Sequence, residues 1–382
     1  MTTMRDAGAS AVPPASLERT RDHRGSPIPT GAMIATRFME LRRRRGLMIT
    51  LLLVTVGFPT VFLAVRILLH ALAPKTYGAA GGYDIYTAMS AGVLYTFGFI
   101  VAATLGCTAG SVDLSEGMFR HLVITGRSRL ALYLARIPAG LAIITALVAI
   151  GFSIVCTVCV FAAPTKLSYD GVAVPAGLSQ GGLESWAAGH PTEVLCNFNY
   201  NGPAQQGVGC DNPPGQPARI VIAGPDRRPI PASPDQAKAA AIDIARQNYP
   251  DYNKQFLYPS NSLMIKTGLW LELEATIGFI VGLGLGSLLG QRTTAVILMI
   301  VLEIILTPIA IRSRIPHFIN GQRGIIGVAT AHLEPGQLPL AFGGGGRDFR
   351  VTESTTTAIC VILAWLIGWT ILGAWRMMTR DA

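Results

Sequence analysis

A chain of 382 residues is long enough for two soluble domains, but half of it is hydrophobic, 14% is charged and the mean hydropathy is +0.44. Soluble domains carry about 25% charged residues, so a single aqueous core is excluded and lipid is the expected solvent. The formal charge of +9 would suit nucleic acid in a soluble protein, yet here the basic residues flank apolar blocks, which reads as membrane topology and not as a nucleic-acid partner.

In chain order, residues 1–32 mix Pro, Gly, Arg and Asp without periodicity and are expected to be a disordered tail. No charge-free run opens the chain, so no cleaved signal peptide is expected. Residues 33–46 place Ile34, Phe38 and Leu41 on one helical face and end in Arg42, Arg43, Arg44 and Arg45, the pattern of an interfacial helix. Apolar blocks follow at 47–73, 86–110, 137–163, 267–290, 294–311 and 357–375. A helix of about 20 residues crosses roughly 30 Å of hydrocarbon. The expected fold class is therefore an all-α polytopic membrane protein with six transmembrane helices, three in 47–163 and three in 267–382.

Basic residues near the span ends set the expected orientation. Arg37 and the Arg42 to Arg45 run precede the first span, Arg120, Arg127, Arg129 and Arg136 separate the second from the third, and Arg376 and Arg380 follow the last. These segments are expected to share the cytoplasm, with both termini inside. The 312–350 loop argues the other way through Arg312, Arg314, Arg323, Arg347 and Arg350, but long loops weaken the charge bias. Preference for Arg over Lys with abundant Ala and Gly suits the plasma membrane of a high-GC bacterium, by association only.

Residues 164–266 form the main soluble segment, an extracytoplasmic insertion between the third and fourth spans. It is rich in Pro, Gly and Asn and is expected to be mostly loop, with a short helix over 234–248. Cys196 and Cys210 lie there, apart from the other cysteines, and suit a disulfide in an oxidising compartment; two free thiols are the alternative reading. Cys156 and Cys159 form a C-x-x-C inside an apolar span, where thiols pack as small hydrophobes, and Cys107 and Cys360 read the same way. No His or Cys pair at ligand spacing accompanies them, so no metal is expected.

Enzymatic motifs are missing. There is no G-x-x-x-x-G-K-[ST], no G-x-S-x-G and no H-E-x-x-H, and the run Gly343, Gly344, Gly345, Gly346 lacks the strand and helix context of a phosphate site. The chain is not expected to be an enzyme or to bind a cofactor, so energy for transport would come from a partner or a gradient. Within the spans, Glu303 of the fifth is the ionisable candidate, either functional or structural, with Arg66 of the first as a possible mate. Glu272 and Glu274 are expected near water at the outer end of the fourth span, and Gly282, Gly284 and Gly286 are expected to permit close helix packing.

The segment 111–136 carries the most specific signal. Glu116 and Gly117 open a turn, and Met118, Phe119, Leu122 and Val123 give the next stretch an apolar helical face beside Arg120, Arg127 and Arg129. Such a face is wasted against water alone and suits a cleft in a partner. The run resembles the cytoplasmic coupling segment of ABC type 2 transporter permeases, where an acidic residue and Gly precede a short helix. The amphipathic stretch before the first span, the tight turn Gly290, Gln291, Arg292, Thr293 and a last span with Trp365 and Trp369 are similar to that family as well. The resemblance covers most of 33–163 and 267–382; the 164–266 insertion and the loop before the last span depart from it.

The resemblance implies the membrane subunit of an ATP-driven exporter. Its partners would be an ABC ATP-binding subunit that holds ATP and magnesium, a second permease copy, and membrane lipid. The coupling residues would be Glu116, Gly117, Met118, Phe119, Arg120, Leu122, Arg127 and Arg129. Two other classes stay open: a gradient-driven transporter, which calls for several buried acids and an inverted repeat, and a membrane-anchored scaffold working through its outer segment. No motif selects the cargo, so drugs, lipids and natural products all fit.

Overall fold

The structure, a computed structural model, describes residues 26–77, 80–115, 128–163, 166–169, 172–175, 177–197, 208–211, 219–223, 229–256, 259–312, 315, 317–335, 351 and 353–379. Among them, six helices are long and apolar enough to cross a membrane: Arg45–Leu72, Tyr83–Val112, Arg129–Phe161, Asn261–Leu289, Arg292–Ile311 and Thr355–Thr379. The expectation for residues 1–25 lies outside the described residues.

Glycine spacing decides how the spans pack. Gly278, Gly282 and Gly286 recur every four residues on the fourth span and so share one face. That face meets the second span: Gly278 lies on Phe99, Gly282 on Ala103 and Gly286 on Cys107. Both numbers rise together, so the two helices run parallel, as even-numbered spans must if every span crosses. A Cβ on Gly282 would stand 2.7 Å from the Ala103 carbonyl oxygen and one on Gly286 2.5 Å from that of Cys107, so only glycine lets the backbones approach this closely. In lipid, where apolar side chains gain little by leaving their solvent, such contact is a main source of helix association. The third span runs the opposite way, with Gly140 on Phe279 and Gly268 on Phe152. The sixth lies behind the fourth, where Gly284 faces Trp369. The first, fifth and sixth spans leave much of their surface outside the bundle, including Val61, Leu68, Ile297, Ile305, Ile367 and Ile371.

Helix α1 (Gly31–Arg43) begins at Thr30, whose side chain accepts from the Met33 amide, a standard N-cap. Its buried stripe is Met33, Arg37 and Leu41. Of the expected face, Leu41 belongs to this stripe and Ile34 and Phe38 pack beside it partly buried, while Arg37, bonded to Glu40 at 2.6 Å, is buried with it. Three spans contain π-helical turns, at Leu53–Gly57, Ala88–Leu94 and Val301–Leu306.

The segment between the third and fourth spans corrects the all-α expectation and the expected loop. Strands β1 (Lys166–Tyr169) and β2 (Val172–Pro175) form an antiparallel hairpin. Strands β3 (Val208–Asp211), β4 (Arg219–Ala223) and β5 (Pro229–Pro231) form a second antiparallel sheet in that order. Helices α2 (Gln180–Gly189), α3 (Pro191–Asn197) and α4 (Pro234–Phe256) pack with them. Ala237, Ala240, Ala241 and Ala245 give α4 a smooth face that closes on Leu183, Ala187, Val194 and Leu195 in a core separate from that of the spans. Tyr252 Oη donates to the Pro175 carbonyl at 2.5 Å and accepts from the Leu178 amide at 3.1 Å, tying α4 to the end of β2. A bidentate Arg246 to Glu184 contact at 3.1 and 3.3 Å joins α4 to α2, and the guanidinium holds the Glu184 carboxyl below its usual range. Cys196 at the end of α3 and Cys210 in β3 are bonded, with Cα atoms 5.1 Å apart.

The loop after the fifth span also holds more structure than expected. Helices α5 (Ile319–Arg323) and α6 (Ile326–His332) fold back against the fifth and sixth spans. Every α6 residue from Ile326 to Ala331 is buried.

Two outcomes follow. Gly282→Ala should destabilise the protein by about 1–3 kcal/mol through overpacking, read as a lower thermal midpoint in detergent, whereas Gly98→Ala, whose Cβ meets nothing within 4 Å, should not. Reducing the Cys196 to Cys210 bridge, or changing Cys210 to Ser, should remove roughly 3 kcal/mol from the insertion, the loop-entropy value for a bridge of this span; protease resistance of 166–256 with and without reductant measures it.

Candidate functional site

A polar side chain inside an apolar bundle is expensive unless partnered, so such groups are functional candidates. On the fourth span, Thr267, Trp270 and Glu274 stand three and four residues apart, three, two and one turns before Gly278 on the same stripe. The register set by Phe99 and Gly278 places Tyr95 beside Glu274 one turn earlier. The Trp270 ring stacks on Tyr95 at 4.8 Å and 6°. Tyr95 Oη donates to Glu303 Oε1 of the fifth span at 2.5 Å, and Thr307 Oγ1 donates to Glu303 Oε2 at 3.4 Å. Trp270 Nε1 donates to the Thr330 carbonyl at 3.1 Å, which draws α6 into the same place.

Three carboxyl groups converge here. Glu274 is 2% and Glu303 6% exposed; Glu274 lies within electrostatic reach of Glu303 and of Glu334, just beyond α6, and Tyr95 within reach of all three. Glu274 Oε1 and Glu334 Oε1 have no hydrogen-bond partner. This corrects two expectations. Glu274 is not near water, because α6 and the second span enclose it, and Glu303 is not mated to Arg66, because its partners are Tyr95 and Thr307. Arg66 lies on the first span, which packs mainly against the third and second. Both halves of the Tyr95 to Glu303 bond adjoin π-helical turns: Tyr95 follows Ala88–Leu94 directly, and Glu303 sits within Val301–Leu306. Such turns recur at functional sites because they re-aim one side chain out of helical phase.

The polar stripe continues toward the start of the second span. The Tyr86 hydroxyl lies within hydrogen-bonding reach of the Ser90 and Thr267 side chains, and all three are fully buried. Cys156 and Cys159 of the third span lie close to Tyr86. Among the described residues, no three His, Cys, Asp or Glu side chains are placed to hold a metal ion.

At the opposite end of the bundle the structure gathers the elements that flank the sequence-derived coupling segment. The Gly110 carbonyl of the second span accepts from Arg136 Nη1 and from Ser287 Oγ of the fourth span, each at 3.3 Å. Arg129 Nη1, at the start of the third span, donates to the Met378 carbonyl of the last at 3.0 Å. Arg37, Glu40 and Leu41 of α1 line a small crevice with Ala109, Val112 and Arg136. Glu116, Gly117, Met118, Phe119, Arg120, Leu122 and Arg127 lie outside the described residues, as do Gly343 to Gly346.

Sequence reasoning missed the convergence on Tyr95. The signal was present, since Glu274 occupies the four-residue step before Gly278, Gly282 and Gly286, and a side chain in that series faces the neighbour that the glycines face. The partners of Glu303 had no comparable signal, because they come from spans distant in sequence.

The chain is thus a mostly helical protein with six helices of membrane-spanning length and apolarity. Comparison with known proteins adds no narrower class: no family model, no curated protein and no solved structure matches it.

Tyr95→Phe should cost about 1–3 kcal/mol by leaving Glu303 Oε1 buried without its donor. Glu303→Gln, which keeps an acceptor oxygen for Tyr95, should cost less; thermal unfolding of the two purified variants orders them.

Proposed function

We propose that this chain is the membrane-spanning permease subunit of an ATP-driven exporter, moving a hydrophobic or amphipathic compound out across the plasma membrane of a bacterium. A separate ABC ATP-binding subunit would supply ATP and magnesium, and a second permease copy would complete the pathway. Both termini are then cytoplasmic, α1 lies along the inner membrane surface, and the 166–256 segment is extracytoplasmic. The disulfide suits that oxidising side, and the basic residues suit the other.

The observation that carries the reading is the mechanical setting of the 116–128 segment. It leaves the second span just past Gly110, whose carbonyl is bonded to the third and fourth spans, and it rejoins the third span at Arg129, which is bonded to the last. A push on this segment therefore reaches four spans through short polar contacts, as coupling to an external motor requires. In this reading Met118, Phe119 and Leu122 insert into the partner, and Arg120 and Arg127 pair with acidic groups around its cleft. Closure of the ATPase dimer tilts the spans and opens the pathway outward.

A gradient-driven transporter is the second reading, favoured by the convergence of Glu274, Glu303 and Glu334 inside the bundle.

Co-purification with an ATP-binding subunit from the same genome tests the exporter. The wild-type chain should bind that subunit and stimulate its ATPase, and Glu116→Ala and Phe119→Ala should each lower stimulation at least about tenfold, the effect of losing about 1.4 kcal/mol of contact. If binding and stimulation survive both changes, the coupling assignment fails.

A further inference from the structure

The first span is entered through a bend that carries unused positive charge. Helix α1 ends at Arg43, Arg44 leaves helical geometry at φ −78° and ψ 73°, and the span begins at Arg45. Three other arginines at this end of the bundle are tied down: Arg37 bonds Glu40, Arg136 donates to the Gly110 carbonyl and Arg129 to that of Met378. Arg42, Arg43 and Arg45 differ. All three are exposed, and none makes an ion pair among the described residues. Glu40, the nearest acid in sequence, is already taken by Arg37.

The surface next to these guanidiniums is apolar and uncovered. Arg45, Ile49 and Leu52 stand four and three residues apart, so they share one face of the first span. Arg45 heads that stripe, and Ile49, Leu52 and the adjoining Leu53 are all exposed. On α1, Met39 is exposed one turn before Arg42 and Arg43. An uncovered apolar stripe on a membrane-spanning helix is a surface for acyl chains, and a guanidinium at its head stands where headgroups begin. Topology alone asks only for positive charge near the span end. It does not ask that the cations cap the lipid-facing stripe or that they lack internal acceptors.

We propose that Arg42, Arg43 and Arg45 form a headgroup site for an anionic phospholipid whose acyl chains lie along Ile49, Leu52 and Leu53. Phosphate oxygens accept from the guanidiniums, whose planar forks suit two parallel N–H donors on one phosphate. A net negative headgroup is selected over a zwitterionic one, because the ammonium of the latter would meet three cations as a like charge. Helix α1 packs on the third span and leads into the first, so a lipid held at the bend fixes the angle between them. The site needs only this chain and a bilayer. No ATP-binding subunit takes part, so it and the exporter reading stand or fall separately.

The test uses the purified full chain in dodecyl maltoside micelles at fixed total lipid, with phosphatidylglycerol replacing phosphatidylcholine stepwise. The thermal midpoint should rise saturably with the phosphatidylglycerol fraction, and inorganic phosphate added to phosphatidylcholine micelles should not reproduce the rise, because it brings no chains. Arg43→Gln and Arg45→Gln should each raise the half-saturating fraction about fivefold. Arg292→Gln, which removes an exposed arginine at the turn between the fourth and fifth spans, should leave it unchanged. Sodium chloride at about 0.5 M should weaken the wild-type response by screening. Arg45→Lys keeps the charge and with it the topology but loses the fork, and should raise the half-saturating fraction about twofold; it and the salt series decide the matter if the glutamine variants do not insert. An equal rise with phosphatidylcholine or inorganic phosphate, a response indifferent to salt, an unchanged response in the Arg43 and Arg45 variants, or an equal loss in Arg292→Gln overturns the proposal.

Discussion

The close approach of the second and fourth spans is the constraint on which the rest of the bundle depends. Gly278, Gly282 and Gly286 bring the two backbones into contact at three points over about two helical turns, and the other spans are arranged around that pair. The third lies across the fourth through Gly140 and Gly268, and the sixth lies behind it at Gly284. Because the pair is parallel and in a four-residue register, whatever follows the glycines on one helix is set against a fixed partner on the other. Tyr95 and Glu274 are the first side chains beyond the small residues. The seam that is tight at one end thus opens into a polar stripe at the other.

The two ends of the same seam hold different groups. Where the glycines end, the Gly110 carbonyl collects Arg136 and Ser287, and the elements around the 116–128 segment are tied to one another. Toward the other end, α6 folds back and brings Thr330 onto Trp270, covering acids that would otherwise meet water. One rigid helix pair carries both, so a tilt applied at Gly110 moves Tyr95 and Glu274 without any bending between them. The π-helical turns next to Tyr95 and around Glu303 are where such a tilt would be absorbed.

Six spans were legible in the sequence because a run of about 20 apolar residues has few other uses, although the third helix begins at Arg129 and the fourth at Asn261, ahead of the expected 137 and 267. The packing value of Gly282, Gly284 and Gly286 was legible for a similar reason. The insertion was not: its Pro and Gly content reads as loop, while the contacts that order it, Ala241 on Leu183 and Tyr252 on Pro175, join residues far apart in sequence. Glu274 was misjudged because depth along a helix was counted from the span end, whereas its burial is decided by α6, an element the sequence presents as part of a long loop. Glu303 was legible as a buried acid, but its partners were not. Periodicity tells which face a residue occupies and not which helix lies opposite.

The central helix pair also sets a delay during synthesis. Gly110 and Ser287 are 177 residues apart, with one span and the whole disulfide-bearing segment between them. At about 5–20 residues per second, the second span waits for roughly 10 to 35 s after it is made before its permanent neighbour emerges. Throughout that interval its small-residue face, with Tyr86, Ser90 and Tyr95 along it, has only the first and third spans or the insertion machinery for company. The glycines that make the mature bundle tight therefore also leave the newborn chain with a polar helix face uncovered until the fourth span is made.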